Sequence, residues 1–349
     1  MSRIVVNNVT KNRELLWLRV KIKKSLDDIC HTLEMEIPAG ERLNVRRHDK
    51  IQVRVDNPLI TERGGVDTVT TVMVDEVTVS ADATSHRVTV IGRSPARDII
   101  DSAWRNTLWT KPEENWTLAK ITKEIADRFK IPDVSEIAVS WFPKGSPDPT
   151  ATVNYFAWQN ESPWAKLLTE ADAQGFLITS NQAGGLYVWK PQATVRSEGF
   201  NATEGENVKT VEWRENGAEQ YHEYVVSGAF GDAVVFDTSC RNRRVLTIDL
   251  TDEAVGEEKR RRRAETEMRR RRETRVTVTV AGWGLSDRQI RALDNRSGKE
   301  FFWSVNFLIP VRMPSLGLSN NLLISEAEFE ADDKSMQTTI TLVNREAYL

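Results

Sequence analysis

The densest concentration of one chemistry in this 349-residue sequence is basic: Arg260, Arg261, Arg262 and Arg263, then Arg269, Arg270, Arg271 and Arg272. Arginines in two such blocks suit something anionic, either phosphates or an acidic protein rim. Asp252 to Arg275 is expected as one helix capped by Thr251, with acids early and arginines late as the helix dipole favours. Glu257, Glu258, Glu265 and Glu267 each stand four residues before an arginine. The bland outcome is therefore a solvated, self-paired helix, each pair contributing about 0.2–0.5 kcal/mol. The sharper one is an anion-binding face. No aromatic residue interleaves with the arginines, which argues against a stacking platform for single-stranded nucleic acid.

Other chemistries are poorly served. His31, His48, His86 and His222 lie in no H-x-x-x-H or C-x-x-C context, and Cys30 and Cys240 are far apart, so no metal or cofactor is expected. G-x-S-x-G, the P-loop and G-x-G-x-x-G are all absent. Carboxylates are plentiful, but a hydrolytic pair is defined by separation in space. A net charge of -3 argues against a chain whose main business is coating nucleic acid. The two isolated cysteines suit a reducing cytoplasm, and neither a signal peptide nor an apolar run of about 18 residues is present. These exclusions favour assembly over catalysis.

The elements that position these residues are mostly strands. The stretch Thr71 to Arg93, TVMVDEVTVSADATSHRVTVIGR, reads as two alternating strands around a polar turn, and a similar hairpin returns as Leu322 to Arg345. Glu76 falls on Glu326 and Asp82 on Asp332. Allowing the second turn two more residues sets Thr89 on Thr341 and Arg93 on Arg345. Upstream, Val20 to His31 aligns with Val211 to His222, setting Lys23 on Arg214 and His31 on His222. Two matched segments in one order suggest a duplicated small β-barrel. The repeated polar positions Glu76, Asp82, Arg93, Glu326, Asp332 and Arg345 become candidates for subunit or partner contacts, since a duplicated domain suits symmetric assembly.

The expected fold is mainly β with an α+β insertion. Residues 1–102 form a first barrel and 103–195 a middle α/β domain. Residues 196–230 with 276–349 form the second barrel, interrupted by 231–275 and its arginine-rich helix. The middle domain shows a period near 3.6 in Trp116 to Lys130, with Leu118, Ile121, Ile125, Ala126 and Phe129 on one stripe. A second helix, Ser162 to Gln174, carries Pro163 at its first position and stops at Gly175. Tryptophans are spread through every segment, and those on barrel edges are candidates for anchoring subunit contacts.

With these pieces in order the chain resembles the baseplate hub (tail) proteins of contractile phages similar to phage Mu, an architecture shared with the hub part of type VI secretion spike proteins. The resemblance rests on VDEVTVSAD and VTVIGRSPARDIIDSA (Val74 to Ala103), on WTLAKITKEIADRF, and on SPWAKLLTEADAQGFLITSNQAGGLYVWKP. It continues through EQYHEYVVSG, VTVTVAGW and the C-terminal hairpin. It implies a homotrimer in which two barrels per chain make a pseudo-sixfold collar, joining a hexameric tail tube or tube-initiator protein to a trimeric spike. Wedge proteins of the baseplate would be further neighbours, and DNA would touch the chain only in transit. It also implies a place in the virion tail, assembly in the host bacterial cytoplasm, and no membrane insertion. The runner-up readings are a cell-wall-degrading tail enzyme and a monomeric anion- or nucleic-acid-binding module. The arginine blocks are no requirement of the family, and the helix that carries them is expected to face outward or towards a neighbouring subunit.

Overall fold

Alternating apolar residues in the first part of the chain make strands that bury one face. The computed structural model describes residues 3–63, 67–81, 86–103, 113–129, 139–142, 152–155, 162–196, 199–250, 256–292 and 301–348. The first set comprises β1 (Arg3–Asn8), β2 (Arg13–Leu15), β3 (Arg19–Ser25), β4 (Thr32–Ile37), β5 (Lys50–Asp56), β6 (Thr68–Ala81) and β7 (His86–Arg93), with helices α1 (Pro58–Glu62) and α2 (Arg97–Asp101). The middle carries β8 (Glu113–Thr117), α3 (Leu118–Arg128), β9 (Val139–Phe142), β10 (Thr152–Tyr155), α4 (Pro163–Gln174), β11 (Leu177–Ser180) and β12 (Leu186–Trp189). Then follow β13 (Ala202–Thr203), β14 (Val208–Arg214), β15 (Glu223–Gly228), β16 (Gly231–Phe236), β17 (Val245–Leu250) and α5 (Glu257–Arg272). The chain closes with β18 (Arg275–Ala281), α6 (Asp287–Ala292), β19 (Leu308–Met313), β20 (Leu318–Asp332) and β21 (Met336–Val343).

Among the described residues thirteen strands share one sheet, in the order β14-β18-β21-β20-β3-β4-β7-β6-β5-β1-β2, with β19 on β20 and β13 on β19. Followed from β3, the ladders run β4, β7, β6, β5, β1; followed from β14, they run β18, β21, β20, β19, β13. The second series repeats the first in chain order. Both hairpins also break register at the same place, between Val74 and Glu76 and between Ile324 and Glu326. The series part only at the end, where β1 runs antiparallel to β5 and β13 parallel to β19. Among the described residues no ladder closes either series into a barrel.

Registers correct one sequence alignment and support the other. Ala81 faces His86 and Ala331 faces Met336, so the two turns have equal length and the extra two residues expected in the second do not exist. Ile91 therefore corresponds to Thr341, and Arg93 to Val343 instead of Arg345. Lys21 reaches Ile91 through Glu34, and Glu212 reaches Thr341 through Thr277. That sets Lys21 on Glu212 and hence Lys23 on Arg214, as the sequence alignment has it.

The two series meet where Glu326–Asp332 of β20 pair antiparallel with β3. Phe329 stands opposite Ile22 at the centre of that ladder, and both are fully buried. Trp283 packs edge-on against Phe329 with ring centroids 5.7 Å apart and donates its indole N–H to the Glu330 carbonyl at 3.0 Å. On the other face, ion pairs run diagonally: Lys23 to Glu326 at 2.9 Å, Lys21 to Glu328 at 3.0 Å and Arg19 to Glu330 at 2.5 Å. One apolar core runs through both series.

The middle segment has its own core. Leu118, Ile121, Ile125 and Ala126 bury the expected stripe of α3 against Leu167 and Ala171 of α4 and the sheet β11-β12-β9. The helix begins at Leu118, because Trp116 and Thr117 belong to β8, which pairs with β10. Ser162 occupies the N-cap of α4 without a side-chain bond to its first turn; its hydroxyl donates instead to the Ile100 carbonyl at 3.2 Å, tying this helix to the end of the first series. Gly175 closes α4 in the left-handed region, at φ 68°, where glycine is favoured. Strand β15, assigned from sequence to the second barrel, lies instead in a separate sheet between β16 and β17.

Truncating the central contact of the joint tests its weight. Phe329→Ala is expected to destabilise the chain by about 3–5 kcal/mol in denaturant unfolding. Glu328→Gln, on the solvated face of the same ladder, should change stability by less than about 1 kcal/mol.

Candidate assembly surfaces

The arginine-rich helix α5 is shorter than its charge pattern suggests. It ends at Arg272, and Arg275 already begins β18, because Val276, Val278 and Val280 must alternate into the core. Gly256 occupies the N-cap without a side-chain bond, and the expected cap Thr251 lies outside the described residues. Four-residue ion pairs form at Glu258–Arg262 (2.9 Å), Glu265–Arg269 (3.5 Å) and Glu267–Arg271 (2.6 Å). Arg261 pairs forward with Glu265 at 3.3 Å in place of the expected Glu257.

Half of the helix faces inward, which corrects the expectation of a solvated, outward-facing element. Arg260 and Ala264 are buried against the β15–β16 sheet with Tyr224 and Val226. The Arg260 side chain lies across Gly228, where an added Cβ would meet its Cδ at 2.7 Å, so this approach requires glycine. Arg263 and Arg270 both reach Asp172 of α4, at 2.5 and 3.2 Å, and that carboxylate is almost wholly buried. Arg270 also stands over the Tyr348 ring at 5.3 Å, and Arg271 over Tyr221 at 5.4 Å. Tyr348 in turn donates to Asp27 at 3.0 Å, and burial together with that carboxylate pushes its hydroxyl pKa up. One helix thus clasps the middle segment, the small sheet and the C-terminal turn. Arg261 and Arg262 keep most of their surface in solvent.

The repeated polar residues are scattered in role. Glu76 is exposed on β6 and accepts from the Thr78 hydroxyl at 2.6 Å. Its counterpart Glu326 is engaged by Lys23 within the chain. Arg93 is an internal clamp, held by Asp75 at 2.7 Å and Asp101 at 2.6 Å, and its hydrogen bond draws the Asp101 carboxyl below its usual range. Arg97, buried beside it, shares Asp75. Asp332 shapes its own turn by accepting from the backbone N–H of Lys334 (2.8 Å) and Ser335 (2.6 Å), which lower its pKa. Asp82 lies outside the described residues, and Arg345 is half-buried in the last turn. Sequence reasoning missed Asp172, whose partners lie 91 and 98 residues away.

His31 is buried, with Nδ1 3.2 Å from the Thr70 hydroxyl, and burial holds its imidazole well below the usual range. His222 faces the Asp237 carbonyl at 3.2 Å. Among the described residues no group of three or more His, Cys, Asp or Glu is placed to hold a metal, and no helix is long and apolar enough to cross a membrane.

Known proteins share this fold. The chain is 24% identical over 358 residues to baseplate hub protein gp44 of Escherichia phage Mu, covering 95% of this chain and 86% of that protein. The chain is thus similar to a phage baseplate hub protein along nearly its whole length. The 43 kDa tail protein of Shewanella oneidensis prophage MuSo2 matches it over 99% of both chains with a TM-score of 0.76 at 22% identity. A tail protein of Neisseria meningitidis MC58 gives 0.73 at 15%, over 99% of this chain and 98% of that one. A component of the Escherichia coli type VI secretion system, described as similar to the T4 tail proteins gp27 and gp5, gives 0.57 at 10%, over 97% of this chain and 76% of that one. No family model matches the chain. The shared fold is therefore that of phage tail proteins and their secretion-system counterparts.

Two expectations follow from the clasp. Asp172→Asn leaves two guanidinium groups facing a neutral amide and should cost about 3–5 kcal/mol by urea unfolding, the range for breaking a buried pair. Glu273, just after α5, accepts from the Asn344 N–H at 2.5 Å, yet burial raises its pKa to about 7. Between about pH 4.5 and 7 the folded chain then holds a proton that the unfolded chain has lost, so stability falls as pH rises through that window. Glu273→Gln should flatten the dependence and raise stability above pH 7 by roughly 1–2 kcal/mol, discounted for partial exposure, in melts taken from about pH 5 to 8.

Proposed function

We propose that the chain is a structural baseplate hub of a contractile phage tail, acting by assembly and not by catalysis. The observation that carries this reading is the relation to the Mu hub protein along nearly the whole chain. The two like strand series supply a physical rationale. A chain with two similar units, taken three times around an axis, offers six near-equivalent positions to a hexameric tail tube and three to a trimeric spike. The proposed partners are thus a second and third copy of the chain, the tube or tube-initiator protein, the spike, and the baseplate wedges. The place of action is the virion tail, after assembly in the host cytoplasm.

DNA would pass through the ring in transit. Its lining is then expected to be polar without a strong positive charge, because fixed arginines would hold phosphates and slow passage. Arg260, Arg263, Arg270 and Arg271 of α5 reach beyond the helix to other parts of the chain, at Gly228, Asp172 and Tyr221. Arg261 and Arg262, paired with Glu265 and Glu258 of the same helix and still mostly in solvent, are the ones offered to an acidic neighbour.

Light scattering on a sizing column, at two salt concentrations, is expected to give a mass near three times 39.7 kDa. Co-expression with a candidate trimeric spike protein is expected to give a stable complex with one spike trimer per ring. A chain that joins neither spike nor tube under co-expression would overturn the hub reading.

A further inference from the structure

The two long strands of the repeated series have unequal neighbours. One edge of β20 pairs with β21; on the other, Leu318–Leu323 pair with β19 and Glu326–Asp332 with β3. Strand β6 follows the same plan, with β7 on one edge and Thr68–Met73 against β5 on the other. Beyond that point, Glu76–Ala81 meets no strand on this second edge among the described residues. The counterpart of β3 is β14, which among the described residues pairs with β18 and with no other strand, an isolated bridge from Glu204 to Val208 aside. Among the described residues each chain therefore carries two open rows of backbone donors and acceptors, and its own β20–β3 joint shows how such rows fit.

We propose that β6 of one protomer pairs antiparallel with β14 of a second copy of this chain, in the register that β20 and β3 use within one chain. The proposal rests on the ring-forming reading and names its contact. The counterparts are fixed by the ladders already described, Glu326 to Glu76 and Lys23 to Arg214. Glu328 opposite Lys23 becomes Thr78 opposite Arg214, and Phe329 opposite Ile22 becomes Val79 opposite Trp213. Ala331 opposite Val20 becomes Ala81 opposite Val211.

Exposure took no part in that transfer, yet it agrees. Phe329 and Ile22 are 0% exposed, whereas Val79 is 51% and Trp213 41% exposed in the single chain. Two large apolar residues left in solvent fall opposite one another, on one face, at the centre of the proposed ladder. Charge agrees as well. The ion pair between Lys23 and Glu326 runs diagonally across the internal joint, and its counterparts are Arg214 and Glu76, again of opposite sign. The Lys21–Glu328 and Arg19–Glu330 pairs become Glu212 with Thr78 and Thr210 with Ser80, which bring no like charges together. The two edges differ, so the contact is head-to-tail and must close into a ring or run on as a filament.

Cysteine pairing reads the register directly. Directly opposed residues of an antiparallel pair lie within disulfide reach, and a shift of one residue sends the side chains to opposite faces. Thr78→Cys with Arg214→Cys is expected to give, on oxidation, covalent oligomers ending at a closed ring that reductant collapses. Thr78→Cys with Trp213→Cys should give none, and Lys23→Cys with Glu328→Cys calibrates the same geometry inside one chain. The native Cys30 and Cys240 are buried. Val79→Asp should raise the concentration needed for assembly by about tenfold or more, as for an unpaired charge in an apolar contact, with the monomer's melting unchanged. A wild-type oligomer by light scattering that fails to cross-link, while the internal pair forms, overturns this joint and leaves the hub reading standing. A protein that stays monomeric and uncross-linked at every concentration also overturns it, and spike co-purification then decides the hub reading separately.

Discussion

The structure depends on one long strand having two neighbours on a single edge. Strand β20 outruns β19, and the residues beyond the bulge at Ile324 and Glu326 would stand as an open row of peptide groups unless another strand took them. Strand β3 does so, from a segment some 300 residues earlier in the chain. That single ladder turns two strand series into one sheet and one core. Its apolar centre, Phe329 on Ile22 under Trp283, supplies the burial energy, and the diagonal ion pairs on the wet face contribute little beyond fixing the register.

A second constraint comes from charge. Burying guanidinium groups is costly unless each meets a carboxylate or an aromatic face, so a helix as basic as α5 cannot simply be pressed onto the fold. Asp172 solves the problem for Arg263 and Arg270 together, the Tyr348 ring adds a second face to Arg270, and the Tyr221 ring serves Arg271. Each of these partners comes from a different part of the chain: α4, the last turn, and the segment before β15. Specificity is the return on that arrangement. Apolar contacts would tolerate sliding of the helix, whereas two arginines on one buried carboxylate permit one position.

How much of this was legible in the sequence follows from what sequence patterns encode. Strand alternation from β3 to β7 and the apolar stripe of α3 are local, and both were readable. The hairpin repeat was visible, but its register was two residues out in the second strand. A slip of two returns every side chain to the same face, so apolar alternation cannot distinguish Arg345 from Val343 as the mate of Arg93. The helix end at Arg272 was hidden because arginine is a good helix former, and only the following valines reveal the strand. The role of Asp172 was invisible for a different reason. One acid on an amphipathic helix looks like any surface carboxylate until a partner nearly a hundred residues away covers it.

The internal and the proposed external joints face different thermodynamic demands. Within one chain, β3 is already tethered to β20, and closing the ladder costs only chain entropy. Between chains, association must also offset lost translational and rotational freedom, of order 4–15 kcal/mol. An external copy of the joint therefore depends on a strong centre. There Trp213 with Val79 stands in place of Ile22 with Phe329, one large aromatic exchanged for another, now of the residue type that concentrates binding energy at protein contacts. The cost is an exposed aromatic in the free protomer, offset by Glu212 and Arg214 on the opposite face, which keep the edge from pairing indiscriminately. At this ladder the two series thus differ in side chains as their tasks differ, one joint serving folding and the other assembly.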